Sequence, residues 1–115
     1  MIKIYHNPKC SKSRNALKYL TEKGIEPQII LYLNKEKYTA ETLTSLAEKM
    51  GLKPSQMVRT QEDLYKNEYK EKNISENQWI KILIENPNLI IRPIIENGNK
   101  AIFGNPVENI DKIFD

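Results

Sequence analysis

The stretch "IKIYHNPKCSKSRNALKYLTEKGIEPQIILYL", residues 2–33, decides how this chain folds. Ile2 and Ile4 alternate with Lys3 and Tyr5, the period of a half-buried strand, and Asn7-Pro8 ends it as a turn. Ala16, Leu17 and Leu20 then recur at helical spacing. Ser11 or Ser13 is the expected N-cap, and Gly24 after Lys23 is the expected stop. "PQIILYL" follows as a second strand, rich in β-branched and aromatic residues. Strand, helix and strand within about thirty residues make a βαβ unit, whose two strands run parallel. The turn between the first strand and the helix holds the only histidine, His6, and the only cysteine, Cys10. It lies at the carboxyl end of a strand, where open α/β sheets place their chemistry.

Outward from this unit, residues 38–86 change character. "TAETLTSLAEKM" carries Leu43, Leu46, Ala47 and Met50 at helical spacing, and Gly51 and Pro54 break it. Two further helices are expected, over Glu62–Tyr69 and Ser75–Glu85, the second opening with the capping-box pattern "SENQ" and burying Trp79, Ile82 and Leu83. This reads as an all-helical insertion. "NLIIRPIIENGNKAIFG" returns to β structure, with Asn97-Gly98 as the expected hairpin turn. "PVENIDKIF" closes the chain as a short helix with Pro106 in its first turn. The expectation is one domain over residues 1–115, of α/β class: βαβ and ββα portions forming a mixed four-stranded sheet, interrupted by helices.

Composition narrows the function classes. A chain of 115 residues with 39% hydrophobic and 29% charged residues fits one globular unit. A net charge of +3 is too small to point to nucleic acid. No apolar run approaches the ~20 residues of a membrane span, and Met1 leads into a strand rather than a signal peptide, so a cytoplasmic location is the expectation. One cysteine and one histidine fall short of a zinc ligand set, so no metal site is expected.

Charge is unevenly placed. Lys3, Lys9, Lys12, Arg14 and Lys18 precede the first acid, Glu22, so the positive excess surrounds Cys10. A thiol reacts as its thiolate, and a helix N-terminus with nearby cations lowers its pKa. The same unpaired N–H groups cradle an oxyanion. Cys10 thus reads either as a reactive thiol or as a small buried apolar residue, and its flanking residues Lys9, Ser11, Lys12 and Ser13 favour the former. His6 reads either as a base or orienting group or as a strand-end histidine bonded to backbone. Arginine occurs three times against fifteen lysines. The planar forks of Arg59 and Arg92 suit a tetrahedral oxyanion, though either residue could equally serve as surface charge. Arg92 precedes Pro93, where an X-Pro bond can be cis.

Taken together, "IYHNPKCSKSRNAL", "EPQIILYL", "MVRT", "NLIIRPII" and "FGNPVENI" resemble, in order and over essentially the whole chain, the glutaredoxin-dependent arsenate reductase family. That family is a branch of the thioredoxin-like fold that also includes the Spx regulators. The resemblance implies that Cys10 attacks arsenate, that His6 helps hold the thiolate, that Arg59 and Arg92 bind the oxyanion, and that Pro93 is the cis-proline beside the site. Ser11, Lys12, Ser13 and Arg14 belong to the supporting loop. It further implies no bound cofactor, glutathione as co-substrate and glutaredoxin as the partner that completes reduction. Ser13 stands where a dithiol motif has its second cysteine, so an outside thiol must resolve any adduct. Where the arsenate reductases carry a third arginine, this chain has Asn105. That departure opens an alternative, a related glutathione-linked thiol reductase with a different substrate. A Spx-like RNA-polymerase-binding regulator is a further reading, but "CSKS" lacks the usual Cys-x-x-Cys switch.

Overall fold

A computed structural model describes residues 1–33 and 37–114. By its internal contacts the chain divides into two compact units, Met1–Lys37 with Arg92–Asp115, and Tyr38–Ile91.

The first unit is built on a four-stranded sheet in the order β2-β1-β3-β4, from β1 (Ile2–Tyr5), β2 (Gln28–Ile30), β3 (Ile94–Asn97) and β4 (Lys100–Phe103). β1 runs parallel to β2 and antiparallel to β3, which is antiparallel to β4, so the sheet is mixed as expected. Ile4 lies opposite Ile95, and these two pack with Ala16 and Leu20 of the helix α1 (Ser11–Glu22) and with Ile110 and Ile113 of the closing segment. On the other face Tyr5 is buried, and its hydroxyl donates to Glu96 Oε1 at 2.9 Å.

Four expectations need correction in this unit. The second strand stops at Ile30, because β1 ends at the Asn7-Pro8 turn and offers no partner further on; the amide of His6 makes the last bond, to Ile30 O at 2.9 Å. Neither Ser11 nor Ser13 caps α1: Cys10 holds that position, Ser11 is the exposed first helical residue, and Ser13 is fully buried. The hairpin turns on Gly98-Asn99, since Asn97 still pairs with Lys100. Only Gly98 there has positive φ, at 59°, and no side-chain-bearing residue of the described chain takes that conformation. Asn97 instead donates from Nδ2 to Ile113 O, tying the hairpin to the closing segment. That segment, Val107–Phe114, is a 3-10 helix beginning after Pro106. Val107, Ile110 and Ile113 recur every third residue, which is the period of a 3-10 rather than an α-helix, and all three pack on the core.

Gly104, just past β4, is needed for space. A Cβ there would lie 2.7 Å from Ile95 Cδ1, 2.9 Å from Pro93 Cγ and 3.6 Å from Ala16 Cβ. The first two are overlaps, one of them with a ring that cannot swing aside. Gly104→Ala is therefore expected to destabilise the protein by about 1–3 kcal/mol, read as a lowered urea midpoint at unchanged slope. An unchanged midpoint would show that this packing relaxes freely.

In the second unit, α2 (Ala40–Met50) is capped by Thr39, whose side chain accepts from the Thr42 amide, and ends at Gly51 in the left-handed region. α3 (Glu76–Glu85) has the expected capping box between Ser75 and Gln78. Trp79 and Leu83 are buried as expected, whereas Ile82 is only half-buried. The helix expected over Glu62–Tyr69 is present over residues 63–69, its Tyr65–Tyr69 portion wound as a π-helical turn whose wide register is closed by Lys70 N to Tyr65 O at 2.9 Å. It sets both tyrosine rings against Trp79, at 6.2 and 5.6 Å between centroids. Among the described residues no helix is long and apolar enough to cross a membrane.

Candidate functional site

The loop from His6 to Cys10 is held by its own polar groups. Asn7, buried, works three times: its amide donates to Ser13 Oγ at 3.0 Å, its Oδ1 accepts from the Lys9 amide at 3.0 Å, and its carbonyl accepts from the Cys10 amide at 3.0 Å. The Asn side chain folding onto an amide two residues ahead is the Asx turn that favours Asn before Pro. Arg14 closes the loop from the helix side, donating from Nη1 to Pro8 O at 2.9 Å. The sequence marked Asn7 only as a turn residue, and its density of backbone contacts was not readable from the Asn-Pro dipeptide.

The backbone leaves Cys10 at φ −96° and ψ 123°, the extended geometry of an N-cap. No side-chain hydrogen bond closes this cap. The half-buried sulfur faces amide dipoles instead. Burial raises the Cys10 pKa, but the Ser13 N–H, the Arg92 guanidinium by hydrogen bonding and charge, and the Lys12 N–H together outweigh it, so the thiol titrates below its ordinary value. The cation responsible is Arg92, at the entry to β3, and not the local cluster. Lys9 and Lys12 are exposed and their ammonium groups do not figure in the shift, while Arg14 serves Pro8 O. Lys12 contributes through its backbone.

A lowered thiol pKa has a direct readout. The alkylation rate of Cys10 should rise with pH and level off at a midpoint below that of a free thiol measured alongside, so that more thiolate is present at any given pH. A midpoint at or above that of a free thiol would remove the basis for a reactive cysteine.

His6 lies in the same loop but its ring meets Ser13, with Nδ1 at 2.6 Å from Oγ. Burial lowers the His6 pKa and the Arg14 charge lowers it further, so the ring is neutral at pH 7. It lends the thiolate no charge, and its hydrogen bond fixes the hydroxyl that fixes the Asn7 amide. Ser13 is thus the pin of the loop: its side chain holds His6 and Asn7 while its N–H faces Cys10.

The other expected residues divide between the two units. The Arg92-Pro93 bond is cis, as the resemblance implied, and Gly104 N donates to Pro93 O at 2.9 Å. Asn105 follows β4, and its carbonyl accepts a long bond, 3.4 Å, from Asn109 Nδ2; the Asn105-Pro106 bond is also cis. Arg59 belongs to the helical unit. Its amide donates to Leu89 O at 2.6 Å, beside the bridge between Val58 and Ile90, and its Nη1 donates to Glu62 Oε2 at 3.0 Å. Among the described residues no group of three or more His, Cys, Asp or Glu side chains is arranged to hold a metal ion.

An activated thiol, a helix start and an arginine on one unit can hold a nucleophile against an anion, and relatives of the chain carry names that fit. An arsenate reductase of Haemophilus influenzae is 45% identical over 112 residues, spanning 96% of each chain. An arsenate reductase of Neisseria meningitidis serogroup A is 38% identical over 114 residues, spanning 97% of each. The solved structure of an arsenate reductase from Vibrio cholerae superposes with a TM-score of 0.91 at 38% identity, covering 97% of this chain and 96% of that one. The ArsC family model matches residues 5–113, and the chain belongs to the ArsC family.

Proposed function

We propose that this protein is an oxidoreductase that reduces arsenate to arsenite, with Cys10 as its nucleophile. The observation that carries the reading is the Cys10 sulfur at the N-cap of α1 with the Arg92 guanidinium acting on it. The Cys10 thiolate attacks arsenic, an As–S bond forms, and an arsenate oxygen leaves as water after taking up protons. Arg92 and the first-turn N–H groups offset the negative charge brought together in this step. Arg59 and Asn105 are assigned to the oxyanion through the family resemblance.

Reduction needs two electrons, which two thiols supply by becoming a disulfide. The chain has a single cysteine, so at least one thiol comes from outside. Glutathione is the assigned co-substrate: its thiol attacks the arsenic adduct, and glutaredoxin completes release of arsenite. No bound cofactor takes part. The test is arsenite formation from arsenate with glutathione and glutaredoxin present, each then omitted. No arsenite in the complete mixture overturns the assignment.

Asn105 supports a second reading, a related thiol reductase with another substrate, because an amide lacks the charge of the arginine that the resemblance leads one to expect there. A charge-assisted hydrogen bond contributes roughly 1.5–3 kcal/mol, about ten- to a hundredfold in oxyanion affinity. A stable glutathione adduct on Cys10 without arsenate turnover selects that reading, and gain of arsenate turnover in Asn105→Arg ties it to this position.

A further inference from the structure

We propose that a cavity beside the Cys10 loop seats a carboxylate of the outside thiol, holding that co-substrate next to the sulfur it must resolve. The proposal rests on the reading above that Cys10 forms an adduct which an external thiol clears. The cavity, of about 160 Å³, is lined by His6, Asn7, Pro8 and Lys9 of the loop and by Leu31 and Leu33 just past β2, all within the first unit. Lys9 directly precedes Cys10, and Asn7 O accepts from the Cys10 amide. The wall of the cavity and the support of the thiol are thus one piece of chain.

Three side-chain donors of this wall meet no protein acceptor among the described residues. Ser13 Oγ accepts from the Asn7 amide, and its other partner is His6 Nδ1. Because Ser13 is fully buried, its hydroxyl proton finds an acceptor only in Nδ1, which places the proton of the neutral His6 ring on Nε2. His6 therefore brings a donor, Nε2–H. Asn7 uses Oδ1 on the Lys9 amide, and Nδ2 is left over. His6 is 6% exposed and Asn7 5%, so both of these donors belong to side chains withdrawn from bulk water. The third is the exposed ammonium of Lys9. Among the described residues no Asp or Glu lines the cavity, so the wall calls for an acceptor bearing negative charge. Leu31, Leu33 and Pro8 make the rest of it apolar, which suits a carboxylate carried on carbon better than arsenate, whose every face is polar. A thiol peptide such as glutathione supplies both.

Disulfide exchange on the full chain, without arsenate, tests this. The Cys10 thiolate attacks one sulfur of oxidised glutathione, a Cys10–glutathione S–S bond forms, and the other half leaves as its thiolate. The tetraethyl ester keeps the disulfide and blocks the carboxylates. Measured against a small free thiol as reference, the native protein should prefer the acid over the ester by about tenfold. Leu33→Trp fills the cavity and removes no charge, and it should cut that preference several-fold, as should Lys9→Gln. A preference unchanged in both variants overturns the proposal. So does one that falls in Lys9→Gln yet survives in a folded Leu33→Trp, since the charge then acts from the open surface. S-Methylglutathione, which has no thiol to react, supplies a check on the native protein: it should slow the exchange with oxidised glutathione, and no slowing overturns the seat. If neither disulfide reacts, Cys10 is no nucleophile and the reading above falls with this one. If exchange runs as expected but the complete mixture forms no arsenite, the seat stands and the substrate assignment falls.

Discussion

Cys10→Ser is expected to lower arsenite formation to less than about one thousandth of the native rate, the scale of loss seen when a covalent nucleophile is removed. The Ser13 and Lys12 amides and Arg92 lower the pKa of a thiol, but a hydroxyl starts too high for the same groups to ionise it. The variant should fold normally, because serine is among the preferred residues at an N-cap, where Cys10 makes no side-chain capping bond. A thermal midpoint equal to or above the native one, with activity gone, separates chemistry from folding. Arsenite measured directly by chromatography at a near-native rate would mean that another group attacks arsenate, and the mechanism would be wrong at its first step.

The second large effect concerns Arg92. Two contributions are lost together in Arg92→Ala, and pH separates them. Arg92 favours the thiolate, so its removal moves the Cys10 pKa upward and the alkylation midpoint to higher pH. At neutral pH less thiolate remains, and the anion also loses a donor, so kcat/KM for arsenate should fall by roughly two to three orders of magnitude. Above the new thiol pKa the ionisation defect disappears and only the oxyanion defect is left. Arg92→Lys keeps a charge without the fork, and should recover more of the thiol pKa than of the arsenate KM. An Arg92→Ala alkylation profile that overlays the native one would break the link between this guanidinium and the sulfur.

Much of this was readable in the residues, for reasons that also explain the misses. Alternation in "IKIY" and the 3.6-period stripe of Ala16 and Leu20 specify buried faces, so β1, α1 and their parallel partner followed. The capping box at Ser75 and Gln78 is a local hydrogen-bond pattern, and it appears intact. The misses depended on partners distant in sequence. β2 is short because β1 is short, and Gly98 takes the turn because Asn97 is bonded to Ile113. At the site, proximity in sequence pointed to Lys9, Lys12 and Arg14 as the cations of Cys10, whereas Arg92 reaches it through strand pairing of β1 with β3. Ser13 was read as a missing thiol and is instead a buried hydroxyl at work. The closing segment was legible in principle, since Val107, Ile110 and Ile113 repeat every third residue, but a three-residue period also satisfies one side of an α-helix.

The buried place of Ser13 bears on any attempt to engineer a self-sufficient catalyst from this scaffold. Adding a second sulfur at that position would give the familiar two-thiol spacing on paper. In the folded protein the newcomer would sit where a hydroxyl now latches His6 and Asn7, sealed from solvent at 0% exposure. It would loosen the scaffolding around the working sulfur before it could relieve the need for a borrowed one, so a resolving thiol is better grafted onto the exposed rim than into the helix.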